Sequence, residues 1–268
     1  MSAAVAAITT TLPKLRWKKD EVLVLRSCRS DMSSPHRKAK GFVWPRKGPV
    51  SCKDWDPSAE CGHGLHGALW GEGCGGCFCF DKEAVWLIVA VKESDIVPLE
   101  GGVKVKFPKG RVLFAGTQIE ATSLMNACRA GAIVGGTSTS GRCGTSTSGY
   151  YGTSTSGDYG TSTSGYYGTS TSGRRGTSTS GDYGTSTSGD YGTSTSGRRG
   201  TSTSGDYGTS TSGDSGTSTS GDSGIIVGRY WDEKAERARL LVGYVGEDGI
   251  EPNVPYKIVD GHWVRADQ

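Results

Sequence analysis

Aliphatic residues are confined to the two ends of the chain, and the long middle has none. In the first part they come in short runs: Val22-Leu-Val-Leu25, Ala84-Val-Trp-Leu-Ile-Val-Ala-Val91, Val103-Lys-Val-Lys-Phe107 and Arg111-Val-Leu-Phe114. Runs of this length and β-branched content predict strands. Thr117-Gln-Ile-Glu120 has the form of a capping box and predicts a helix to about Cys128. In the last part, Arg239–Val245, Tyr256–Val259 and Trp263-Val264 read as short strands around Gly and Pro turns. Between Gly136 and Ser223 there is no Leu, Ile, Val, Met, Phe or Trp, and the only regular pattern is an alternation of Thr and Ser.

That alternation belongs to a repeat. The unit Gly-Thr-Ser-Thr-Ser-Gly-X-X runs eleven times without an insertion, and only its last two positions vary. Gly/Ser tracts are commonly flexible linkers, but linkers drift in length, and this period does not. Thr is β-branched and recurs at i and i+2, so in a strand both threonines share a face and the serines take the other. The Gly-X-X-Gly segments supply turns. One octapeptide is too short to leave a strand, turn and return; two are enough. The expected fold is therefore mainly β: a β-solenoid of 16-residue, two-strand coils. Neighbouring coils would pair as parallel strands about 4.8 Å apart, making a rod of about 26 Å.

A two-strand coil with Gly corners is narrow, which favours Ser inward and Thr outward; Thr inward is the alternative. With Thr outward, Thr137, Thr139, Thr153, Thr155, Thr169, Thr171, Thr185, Thr187, Thr201, Thr203, Thr217 and Thr219 line one face. Thr145, Thr147, Thr161, Thr163, Thr177, Thr179, Thr193, Thr195, Thr209 and Thr211 line the other. The corners stack into a row from Tyr151 to Ser215 and a row from Cys143 to Ser223, whose Tyr and Arg suit cation–π pairing, a homodimer contact or plain hydration. Open coil ends need cover. Apolar residues stand at both ends, Ala132-Ile-Val134 before the array and Ile225-Ile-Val227 after it. The expected organisation is a flexible stretch 1–19, an α+β capping domain 20–135, the solenoid 136–223 and a small β cap 224–268.

The array, with Gly41-Phe-Val-Trp-Pro45, Cys61-Gly-His-Gly-Leu-His-Gly67, Lys104–Gly110 and Val242–Pro252 in its flanks, resembles a bacterial and phage octapeptide-repeat family to which no activity is attached. Members carrying Ala at the places of Ser138 and Ser140 imply that these positions face a tight interior. The Thr-X-Thr ladder is also similar to the water-contacting faces of insect antifreeze solenoids and bacterial ice-nucleation repeats. That resemblance implies ice or ordered water as the partner of the Thr rows. A structural spacer or assembly scaffold is the alternative.

Composition changes this picture little. The net charge of +3 is small, although residues 1–60 hold twelve Lys and Arg against six Asp and Glu. No aromatic-basic motif accompanies that excess, so neither nucleic acid nor a membrane is expected as a partner. Met1 to Leu12 lacks a basic leader and a cleavage site, and no apolar run is long enough to span a bilayer, so a cytoplasmic location is expected. Cys74 and Cys77 have the spacing of half a zinc site, with His63 and His66 as weak partners; no cofactor is expected. Asp54, Asp56, Glu72 and the two histidines are the polar groups an enzyme would use, but no nucleophile elbow, phosphate loop or complete metal motif appears. The expectation is that the chain is not an enzyme.

Overall fold

A computed structural model describes residues 13–34, 42–73, 78–99 and 104–267. The N-terminal part is one antiparallel sheet built from β1 (Glu21–Cys28), β2 (Gly48–Ser51), β3 (Leu65–Leu69), β4 (Val85–Lys92), β5 (Val97–Leu99), β6 (Lys104–Phe107) and β7 (Lys109–Gly116). Their order across the sheet is β2-β7-β4-β1-β3-β6-β5. The central strands β1 and β4 bury nearly every residue, because both faces are covered. One face packs Val24, Leu87, Val89 and Phe107 around Trp44. The other packs Leu23, Leu25, Trp86 and Ile88 against helix α1 (Gln118–Cys128). The helix starts where the sequence placed it: the Thr117 side chain accepts from the Glu120 N–H, and the Glu120 carboxylate accepts from the Thr117 N–H at 2.9 Å. The stretch between the first two apolar runs is less irregular than its Gly and Cys content implies, since it contains β2 and β3.

Each octapeptide then contributes one short strand, from β8 (Thr137–Thr139) to β18 (Thr217–Thr219). Strands two octapeptides apart pair in parallel and in register: Thr137 lies beside Thr153, and Thr153 beside Thr169. Alternate strands therefore build two facing sheets, and one coil is sixteen residues, as expected. Main-chain bonding continues round the corners, where Cys143 N–H donates to the Asp158 carbonyl of the next coil at 2.8 Å. Gly is required there by close approach: a Cβ on Gly157 would lie 2.9 Å from the Arg142 nitrogen of the preceding coil.

The interior holds serine. From Ser146 to Ser220 the inward side chains are at most 4% exposed. Hydroxyls reach directly across the gap, as Ser178 Oγ does to Thr187 O at 2.6 Å and to Ser172 Oγ at 3.0 Å. The core is thus narrow enough for direct contact between its two walls.

Both ends are closed by apolar residues. At the start, Ile133 and Val134 join the core that contains Trp86 and the buried face of α1. Val134 N–H donates to Gly71 O, and the Phe80 and Tyr151 rings lie 4.5 Å apart. At the far end, β19 (Ile225–Asp232) pairs in parallel with the last strand of its sheet, β17 (Thr209–Ser212), and antiparallel with β20 (Arg237–Tyr244). Ile226 takes the place of an inward Ser and packs with Ile250 and Tyr256. β21 (Tyr256–Val259) and β22 (His262–Arg265) extend the other sheet.

Candidate functional site

Threonine makes the two outer faces of the solenoid. Every array threonine is exposed or half-exposed, while Ser146 and its inward equivalents to Ser220 are buried. Thr137/139 through Thr217/219 lie in one sheet, and Thr145/147 through Thr209/211 in the other. The sort follows from strand alternation and the sixteen-residue period. Along a strand the two threonines stand about 6.8 Å apart, and between coils about 4.8 Å, so each face presents a two-column grid of methyl and hydroxyl groups. Grid positions are fixed because Thr at χ1 is stiff and every strand from β10 to β18 is paired on both sides.

The corners carry the variable residues, and the last position of every octapeptide has a positive φ, from Arg175 at 53° to Tyr191 and Tyr159 at 57°. With Gly144 N–H donating to Gly141 O at 3.0 Å, the corner has the pattern of a type II turn, whose third residue must adopt that conformation. Side chains there stack on their equivalents one coil away. Tyr151, Tyr167 and Tyr183 have centroids 4.9 and 5.1 Å apart, and Arg199 lies over Tyr183. On the other corner Arg175 sits between Tyr159 and Tyr191, and Tyr191 stacks on Tyr207 at 5.0 Å. Asp158, Asp182, Asp190 and Asp206 each accept the main-chain N–H sixteen residues on. These groups staple coil to coil.

Of the weaker candidates, His63 lies on an exposed loop, 3.7 Å from Asp54. His66 sits in β3, where burial first and then Arg26, Lys104 and Lys106 push its pKa down to about 4. Cys74 and Cys77 lie outside the described residues, and among those described no three His, Cys, Asp or Glu side chains gather to hold a metal. Asp56 caps its own turn through Ser58, and Glu72 lies at the junction with the array, bridged to Ile133. Sequence reasoning missed the positive φ at the corners: the signal, a Gly closing each turn three residues after the Gly that opens it, was present, but Tyr and Arg in place of the usual Gly hid it.

The geometry defines a capped, two-faced β-solenoid, a repeat protein whose regular surface is a threonine grid. The array is an ice-nucleation-like repeat. The chain is 38% identical over 104 residues to the ice nucleation protein of Pseudomonas fluorescens, a match covering 39% of this chain and 8% of that protein. It is 34% identical over 108 residues to the ice nucleation protein of Xanthomonas campestris pv. translucens, covering 40% and 7%. It is 33% identical over 113 residues to ice nucleation protein InaU of Pantoea ananas, covering 42% and 10%. The matches thus span a tenth or less of the length of these curated relatives. No family model matches the chain, and no solved structure does. These relatives are named for ice nucleation and not for a reaction. They are surface proteins anchored at the outer membrane, which overturns the expectation of a cytoplasmic location; the composition of Met1 to Leu12 was too weak a basis for it.

Proposed function

We propose that this chain binds ice through its threonine faces and acts as a small ice-nucleating or growth-modifying repeat protein, without enzymatic activity. The observation that carries the reading is the in-register parallel pairing, which repeats an outward pair of threonines at every coil of both sheets. Water on such a surface meets methyls and hydroxyls at fixed intervals. It can be held in an arrangement that an ice lattice continues, because the grid loses no further side-chain entropy on contact. The names of the relatives supply the second support. The threonines from Thr137 to Thr219 are the proposed contacts. The parts outside the array, residues 20–135 and 224–268, serve as caps; the serine core buries little apolar surface, so the coil ends need them.

Droplet freezing and ice-crystal shaping test this. Thr169→Tyr with Thr185→Tyr on one face and Thr161→Tyr with Thr177→Tyr on the other should lower the median freezing temperature toward that of buffer and abolish shaping. The β-sheet circular dichroism should stay unchanged. Ice activity that persists in the four-fold variant sinks the reading and leaves the array a scaffold. Pairing of two molecules through the Tyr and Arg corners is the weaker reading of those rows, since the ring faces are already taken by neighbours in the same chain.

A further inference from the structure

Two stretches of the N-terminal part, Cys61–Gly67 and Lys104–Gly110, take no part in the threonine faces, and the fold brings them together. β3 and β6 pair with His66 opposite Lys106 and Gly67 opposite Val105. Lys104 and Lys106, two residues apart in β6, project from the same face of the sheet and hold adjacent residues of the loop before β3. Lys106 Nζ donates to Glu60 O at 2.8 Å, and Lys104 Nζ donates to Cys61 Sγ at 2.8 Å. The loop is also fixed by packing. A Cβ on Gly64 would lie 2.9 Å from the Trp55 ring, and Lys106 Nζ stands 5.7 Å from the centre of the same ring.

The Cys61 contact differs from those of Cys52 and Cys79. These two thiols donate to oxygen, the Pro108 carbonyl and the Asp81 carboxylate, both at 3.2 Å. Cys61 instead accepts from an amine. Its sulfur lies as near to nitrogen as an oxygen acceptor would (about 2.9–3.0 Å), although sulfur is the larger atom. Cys61 is exposed, whereas Cys28 and Cys79 are buried, so a small oxidant reaches it. The two atoms are too far apart for a direct bond and close enough for a bridge of one atom. Two single bonds meeting at one atom span about 2.5 Å in the backbone, and bonds to sulfur are longer.

We propose that Cys61 and Lys104 form a covalent cross-link through a single oxygen atom, Sγ–O–Nζ, with dioxygen as the oxidant. The thiol loses its S–H bond and the ammonium two of its three N–H bonds, while an S–O and an O–N bond form. Sulfur and nitrogen each give up two electrons, and dioxygen takes all four. One of its oxygen atoms enters the bridge; the other leaves as water, and one proton is released. Two molecules of a dithiol return the four electrons and restore the thiol and the amine, with the bridging oxygen leaving as water. The link joins residues 43 apart and closes the segment carrying β3, β4 and β5 into a ring. Such a closure restricts the unfolded chain, so it fastens the loop to the capping sheet under oxidising conditions. The cross-link is independent of the ice reading.

Peptide mapping of the full chain by mass spectrometry tests this. Wild type held in air and then treated with iodoacetamide should yield the Cys61 and Lys104 peptides joined, at the sum of their masses plus one oxygen less two hydrogens. Dithiothreitol added before the alkylation should return the two peptides separately, with Cys61 now alkylated. Lys104→Arg keeps a cation and an N–H donor beside the sulfur but removes the primary amine. It should raise the alkylated fraction of Cys61 in air roughly tenfold. A Cys61 that is fully alkylated in the air-exposed wild type overturns the proposal. So does Cys61 recovered as a disulfide or a sulfinic acid with Lys104 unmodified, and so does a joined species that persists in Lys104→Arg.

Discussion

Two kinds of position pull against ordinary preference in this solenoid, the corner and the core, and each makes a measurable claim. Tyr, Arg, Cys and Ser occupy the left-handed corner position, where an L side chain costs about 1–2 kcal/mol. Where a ring stacks on the next coil, that cost is offset; where none does, Gly should be better. Ser215→Gly is therefore expected to raise stability by about 1 kcal/mol, whereas Tyr191→Gly, which removes the stack on Tyr207 and the contact with Arg175, should gain nothing or lose. Chemical denaturation of the two variants side by side checks this. In the core, Ser170 is 0% exposed and its hydroxyl has no protein partner, unlike Ser178. Ser170→Ala removes a desolvated hydroxyl and should be neutral or stabilising by up to about 1 kcal/mol, while Ser178→Ala, which breaks two bonds, should destabilise by about 1 kcal/mol.

At the scale of elements, the caps carry the apolar stabilisation that the coils lack. Ile226 is fully buried where the array would have placed a serine, against Ile250 and Tyr256. Ile226→Ala should cost about 2–4 kcal/mol and fray the last coils first, seen as faster amide exchange from β17 onward. The N-terminal sheet has a different sensitivity. His66 is neutral in the fold, its pKa lowered from 6.5 to about 4. Above pH 6.5 folded and unfolded chains bind the same protons at this site. As pH falls from 6.5 toward about 4 the unfolded chain takes up a proton that the fold refuses, so stability declines across that window. Thermal melts of His66→Gln should lose that part of the pH dependence.

For the whole molecule, the decisive quantity is the parity of the repeat. Because a coil is two octapeptides, deleting residues 168–183 removes one coil and leaves both faces, both corners and both caps in register. Deleting residues 168–175 alone would carry β19 to the opposite sheet, set Ile226 beyond the wrong wall and misplace β21. The sixteen-residue deletion should melt as a slightly shorter version of the parent, whereas the eight-residue deletion should unfold far lower or expose apolar surface to a hydrophobic dye. If freezing activity scales with the grid, the sixteen-residue deletion should also lower the nucleation temperature without changing the fold.

The repeat region was legible in the chain because its rule is local. A strict period, Thr at i and i+2, and Gly at both turns leave little choice of strand, coil length or outward residue, and the capping box of α1 is a signal within four residues. The strand order of the N-terminal sheet was not legible, since β1 meets β3 and β4 through contacts that no short pattern records. Nor were the left-handed corners, where Tyr and Arg are held by the coils above and below. The meeting of Cys61 with Lys104 is likewise a property of the assembled sheet: the two stand 43 residues apart in sequence, and only the pairing of β3 with β6 decides that they touch.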